Sequence, residues 1–260
     1  MSVVSVKIEN HIAEVTLDRP DKMNAVSPDL IEDLIAAGHA VNREDVRAVV
    51  LSGNGRAFCA GIDVSGFGGD LQSNPEATLM PRNHGTSNKY QKVAMIWHEL
   101  PMPVIAAVHG VCFGAGFQIA LGADMRIAHP DTRFSIMEIK WGLVPDMGGL
   151  ALMPPLMRGD VMRELTYTGR QFSAIDAKEY GVVTQISEDP KATALEIAQT
   201  IAGKSPSALR AAKRLFNYVE DERSAQILLE ESREQAHLIG GADQIEAVRA
   251  NMENRAPQFK

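Results

Sequence analysis

Two small-residue turns constrain this chain most: Phe58-Cys59-Ala60-Gly61-Ile62-Asp63 and Gly110-Val111-Cys112-Phe113-Gly114-Ala115-Gly116-Phe117-Gln118. Each follows a run of apolar residues, and turns built from glycine and alanine can leave backbone N–H groups without an acceptor in the chain. Two such groups aimed at one carbonyl make an oxyanion hole. A third segment, Met137 to Gly149, adds the carboxylates Glu138 and Asp146 on a stretch broken by Gly142, Pro145, Gly148 and Gly149. Polarising donors beside carboxylates suit enolate chemistry, in which a proton leaves a carbon next to a carbonyl.

The surrounding pattern is α/β. Val4, Val6 and Ile8 alternate with polar residues, as do Ala13, Val15 and Leu17 beyond Asn10-His11, which predicts a hairpin of half-buried strands. Ser27 and Pro28 supply an N-cap and first helical position for a helix carrying Leu30, Ile31, Leu34, Ile35 and Val41. Strands are expected at Val46–Leu51, Pro103–Val108 and Met125–Ala128, with helices at Val93–Leu100 and from Phe117 to Leu121. The Gly-, Asn-, Pro- and Ser-rich stretch from Gly66 to Ser87 reads as a flap beside the site. Beyond Ser187, helical periodicity over Ala192–Ala202, Pro206–Val219 and Ser224–His237 divides the chain into a core, residues 1–190, and a C-terminal helical module, residues 191–260.

Composition narrows the partners. The net charge of -7 provides no basic face for nucleic acid. Cys59 and Cys112 are the two cysteines, and each lies in a tight turn where a small side chain is the simplest requirement, so a reduced compartment is expected and not a disulfide framework. The opening residues lack a basic region followed by an apolar stretch, and no span is apolar enough for a membrane. A cytoplasmic location is therefore expected. The seven histidines show no ligand spacing on one element, so no metal is expected.

The ordered set of motifs resembles the crotonase, or enoyl-CoA hydratase/isomerase, superfamily. The likeness runs through Leu17-Asp18-Arg19-Pro20 with Asn24-Ala25, Ala57 to Asp63, Pro103 to Ala128, Gly142 to Gly149, Thr168-Gly169-Arg170, and Ala174, Ala177 and Gly181. The resemblance implies a spiral of repeated strand-strand-helix turns with a C-terminal helical module, assembled as a homotrimer or homohexamer. It also implies an acyl-CoA thioester as substrate and no separate cofactor. Carried over, the oxyanion donors are the N–H groups of Ile62 and Ala115, the latter at a helix N-terminus where an anion is favoured. Lys22, Met23 and Ala60 lie along the CoA path, and Gly61, Asp63, Gly114, Gln118 and Gly142 complete the expected substrate-binding set.

The carboxylates choose among reactions. Hydratases of this family resemble a machine with two acids about twenty residues apart; here those positions hold Gln118 and Glu138. Glutamine hydrogen-bonds water but takes no proton from it, so hydration is disfavoured. Asp146, eight residues past Glu138, matches the later acidic pair of dienoyl-CoA isomerases, although those also carry an aspartate where Gln118 stands. Double-bond isomerisation thus leads. Hydration of a 2-enoyl-CoA is the alternative, followed by an aspartate-nucleophile hydrolase or dehalogenase using Asp146 and by a non-catalytic acyl-CoA binder.

Other signals are read as structural. Gly114-Ala115-Gly116 superficially matches a dinucleotide loop, but Ile119 occupies its last small-residue position. Cys59 and His109 fit turn packing better than a nucleophile and base. Asp63 and Asp124 are suited to capping or to pairing with Arg126 or with backbone N–H groups. Met137, Met147, Met153 and Met157 fit either pocket lining or core, and Glu230, Glu231, Arg233 and Glu234 read as a solvated face.

Overall fold

A computed structural model describes residues 2–63, 73–220 and 224–259. Strand β1 (Val4–Glu9) turns at Asn10-His11, both with positive φ, and pairs antiparallel with β2 (Ile12–Leu17). Helix α1 (Pro28–Val41) opens where Ser27 accepts from the Leu30 N–H, as its sequence predicts, and carries the chain across to β3 (Ala48–Gly53), parallel to β2. The strand begins later than Val46, which is held instead in a turn by a bond from its N–H to Arg43 O.

Part of the expected flap, residues 66–72, lies outside the described residues. The described remainder holds a short helix, α2 (Pro75–Leu79), whose Leu79 is buried. Next comes α3 (Lys89–Glu99), longer at its start than the apolar periodicity implies because Asn88 and Gln91 form a reciprocal capping box.

From here each turn of the chain gives one strand to each of two sheets and then a helix. β4 (Val104–Val108) joins the first sheet, β5 (Val111–Phe113) the second, and α4 (Ala115–Leu121) leads on. β6 (Met125–Ala128) then joins the first sheet and β7 (Arg133–Ser135) the second. A 3-10 turn, Glu138–Trp141, follows, then α5 (Gly149–Leu152), α6 (Gly159–Thr168), β8 (Phe172–Ser173), α7 (Ala174–Glu179) and β9 (Gln185–Ile186). The six-stranded sheet has the order β1-β2-β3-β4-β6-β9 and is parallel after its first pair; the three-stranded sheet is β5-β7-β8. This is the strand-strand-helix spiral.

A parallel sheet must be covered on both faces, and its central strands are correspondingly apolar throughout. Val104, Ala106 and Val108 of β4 face the large core with Leu34, Trp97 and Phe117. Ile105 and Ala107 face the other way and join Ile12, Val50 and Ile127 against Ala194, Ala198 and Ala202 of α8 (Pro190–Ala202). Among the described residues, three further helices follow: α9 (Pro206–Glu220), α10 (Ser224–Leu238) and α11 (Ala242–Met252).

Candidate active site

The two small-residue turns lie side by side because they pair with each other through an isolated bridge between Cys59 and Cys112. The Cys59 N–H donates to Val111 O at 3.1 Å and the Phe113 N–H donates to Cys59 O at 3.1 Å, which brings Gly61 and Gly114 close together just beyond the paired residues. Gly61 sits at φ +97°, and a Cβ there would stand 3.0 Å from Phe113 O; only glycine lets the turns approach this closely. Among the described residues, neither the Ile62 N–H nor the Ala115 N–H has a hydrogen-bond acceptor, and both residues line one cavity. Ala115 is the first residue of α4, where the helix itself provides no acceptor for an N–H.

Glu138 reaches the same cavity from the 3-10 turn after β7. Its Oε1 accepts from Gln118 Nε2 at 2.6 Å, while Oε2 is buried with no partner among the described residues. Burial pushes its carboxyl up to about 7, against the opposing pull of the Gln118 amide and nearby backbone N–H groups. Gln118 is held at both ends of its amide: its Oε1 also accepts from the N–H groups of Met147 at 2.8 Å and Gly149 at 2.9 Å. Those two donors fix which end of the amide faces Glu138. Gln118 therefore lines the pocket as a brace.

Asp146 points into the site and is buried. Its Oδ1 accepts from Gln235 Nε2 at 3.0 Å, and burial, with the negative Glu231 and Glu138 nearby, holds its carboxyl well above the usual range. Gln235 on α10 went unflagged in the sequence, as did Leu79, Tyr90, Trp141 and Ile239, which also line the cavity. Glu231 corrects an expectation outright. It lies at 3% exposure, not on a solvated face, and accepts from the N–H groups of Gly148 and Leu150 and from Gln91 Nε2. Burial raises its carboxyl to about 7.

The other expected residues divide. Ala60, Gly61 and Gly114 line the cavity, and Met23 O accepts the Ala60 N–H at 3.0 Å, placing Met23 at its edge. Lys22 is exposed beside it. Gly142 is not among the lining residues; it packs against Gln244 of α11, where a Cβ would stand 2.8 Å from that residue's Cα. Asp63 is turned away from the cavity to a 2.9 Å ion pair with Arg19. Asp124 accepts from the Val104 N–H, one of the backbone pairings its residue type suggests, and from Lys213 at 2.8 Å, while Arg126 donates to the carbonyls of Val182 and Ala123. Met137 and Met147 line the cavity, while Met153 and Met157 belong to the core.

Cys59 and His109 form no dyad: the buried thiol donates to Asn24 O and is pushed up to about 12, and the imidazole meets Gly55 O. Among the described residues no cluster of three or more His, Cys, Asp or Glu could hold a metal ion. No described helix is long and apolar enough to cross a membrane.

Known proteins share this arrangement of strands and turns. A family profile described as enoyl-CoA hydratase/isomerase matches residues 7–260. The chain is 32% identical to 1,2-epoxyphenylacetyl-CoA isomerase of Escherichia coli (strain K12), covering 100% of this chain and 98% of the relative. It is 30% identical to the mitochondrial Delta(3,5)-Delta(2,4)-dienoyl-CoA isomerase of Mus musculus, covering 98% of this chain and 80% of the relative. A crystal structure of an enoyl-CoA hydratase/isomerase from Pseudoalteromonas atlantica T6c superposes with a TM-score of 0.86 at 28% identity, over 99% of this chain and 100% of that one. With paired glycine turns and buried acids on a fold shared along its whole length, the chain belongs to the enoyl-CoA hydratase/isomerase family.

Proposed function

We propose that this enzyme shifts a double bond in an unsaturated acyl-CoA thioester. The N–H groups of Ile62 and Ala115 hold the thioester oxygen as it gains negative charge, and Glu138 and Asp146 move the proton. Removing a proton from the carbon beside the thioester carbonyl forms an enolate whose charge spreads along the conjugated chain. Returning a proton at the far end completes the shift, with no atom gained or lost. Such a reaction needs two carboxyl groups in opposite protonation states or one that swings.

The observation that carries this reading is the matched tethering of the two acids. Each receives one side-chain amide, Gln118 for Glu138 and Gln235 for Asp146, on one oxygen. For Glu138 the other oxygen has no partner among the described residues. Burial and mutual repulsion disfavour ionising both, so the pair carries a proton to give and a site to receive one. Gln118, bound at both ends and unable to take a proton, favours isomerisation over hydration.

The test offers 2-enoyl-, 3-enoyl- and 3,5-dienoyl-CoA separately in heavy water and follows product mass and deuterium position. Isomerisation predicts deuterium at the shifted carbons with no gain of water. Water addition to the 2-enoyl substrate as the dominant reaction would replace this reading with hydration.

A further inference from the structure

We propose that α10 supplies the positioning residues for the second acid: Gln235 orients the Asp146 carboxyl, and Glu231, one turn earlier, anchors the Gly148–Leu150 turn behind it. This rests on reading Asp146 as a proton-transfer group. Spaced four apart, the two side chains leave α10 from one face, and both are buried. Gln235 donates to Asp146 Oδ1 at 3.0 Å and accepts from the Val144 N–H at 3.0 Å, so it holds the carboxyl and the backbone two residues before it. Glu231 accepts from Gly148 N–H at 3.0 Å and Leu150 N–H at 2.8 Å, holding the backbone beyond it.

Between Val144 and the start of α5 the chain has no strand or helix to satisfy its donors. Side chains do so instead, in alternation. Met147 and Gly149 are taken by Gln118, Gly148 and Leu150 by Glu231, and Val144 by Gln235, while Pro145 has no N–H to satisfy. Asp146 thus sits on a segment clamped by α4 from one side and α10 from the other.

A buried carboxylate is a costly way to hold two N–H groups unless its charge also matters. The charged groups acting on Asp146 are Glu231 from α10 and Glu138 from the 3-10 turn. Glu231 is itself met by Gln91 from α3 and attracted by Arg82, whose guanidinium donates to Gln91 and Ser232. The two positioning residues therefore push Asp146 in opposite directions: the Glu231 charge favours its protonated form, and the Gln235 amide favours the carboxylate.

The experiment measures kcat and KM against pH, with the isomerisation substrate, for Glu231→Gln, Gln235→Met and Asp146→Asn. Gln235→Met is expected to lower kcat about 10-fold or more with little change in KM, and to move the alkaline limb up by about one unit. Glu231→Gln is expected to move the same limb down by a similar amount. A residue that only held the fold would lower thermal stability and leave the limb in place. Should either variant fail to fold, Gln235→Glu and Glu231→Asn carry the same expected signs, since one replaces the donor with a negative charge and the other removes the charge while keeping an acceptor.

Limbs that stay fixed, or move together, overturn the role of α10 when Asp146→Asn is itself inactive. An Asp146→Asn enzyme with full turnover overturns the reading of Asp146 beneath it.

Discussion

Ala115→Pro offers a direct way to delete one proposed oxyanion donor while keeping its helix. Ala115 is the first residue of α4, and proline suits that position because its N–H has no intrahelical bond to lose and its fixed φ matches a helix start. The preceding residue tolerates the change: Gly114 lies at φ 49° and ψ -118°, outside the α region that a following proline disfavours, and glycine adopts it freely. The substitution therefore removes the donor without unwinding the turn. Losing one preorganised donor costs about 2.7–4 kcal/mol of transition-state stabilisation, a fall of roughly 100- to 1000-fold in kcat. The assay is kcat at saturating acyl-CoA, with the dissociation constant of the unreacted thioester measured separately so that the bulk of the ring is not mistaken for the lost donor. Ala115→Gly, which keeps the N–H, is the control and should retain most of its turnover. A proline variant that folds, binds and turns over within about 5-fold of the parent would refute the role of this amide.

The buried pair should give a bell-shaped pH profile of kcat/KM whose acid limb, rising as one carboxyl ionises, falls near pH 7. A limb near pH 4.5, the ordinary range of a glutamate, would show that burial of Glu138 does not govern the chemistry. Because its folded-state value is raised, the neutral form favours the native state; stability is retained below about pH 4.5 and declines as pH rises toward 7, as equilibrium urea unfolding across that window would detect. Gln118→Met should destabilise the fold by about 2–6 kcal/mol, because it strands the buried N–H groups of Met147 and Gly149. Gln118→Glu, which keeps an acceptor for both, should recover much of that loss, and equal urea midpoints for the two variants would contradict the bracing role.

Local pattern carried much of this structure. The hairpin, the capped α1 and the strands at the centre of the sheet follow from alternation, Ser27-Pro28 and continuous apolar runs, since each depends on neighbours in sequence. Glu138, Ile62 and Ala115 could be singled out because small-residue turns and the resemblance to a known family mark their positions. Glu231 and Gln235 could not. The buried face of α10 consists of Ser224, Leu228, Glu231, Ser232 and Gln235, so no apolar stripe announces it. Glu230, Arg233 and Glu234 around them have the mixed charges of a solvated helix. What turns Glu231 inward is a set of unpaired N–H groups more than eighty residues away, at Gly148 and Leu150, which no window on the helix contains. Helices α6 and α11 escaped for a related reason: one buries only Leu165, and the other presents Gln244, Ala247 and Ala250 to the protein, too little apolar surface to stand out.

The dependence of the cavity on Glu231, Gln235 and Ile239 bears on how the enzyme comes into being on the ribosome. A nascent chain can assemble both glycine turns and Glu138 well before α10 has emerged, yet the Asp146 segment then lacks the partners of its Val144, Gly148 and Leu150 N–H groups. Activity should consequently switch on late in translation, so a stalled or prematurely terminated product would be left with an unfinished site.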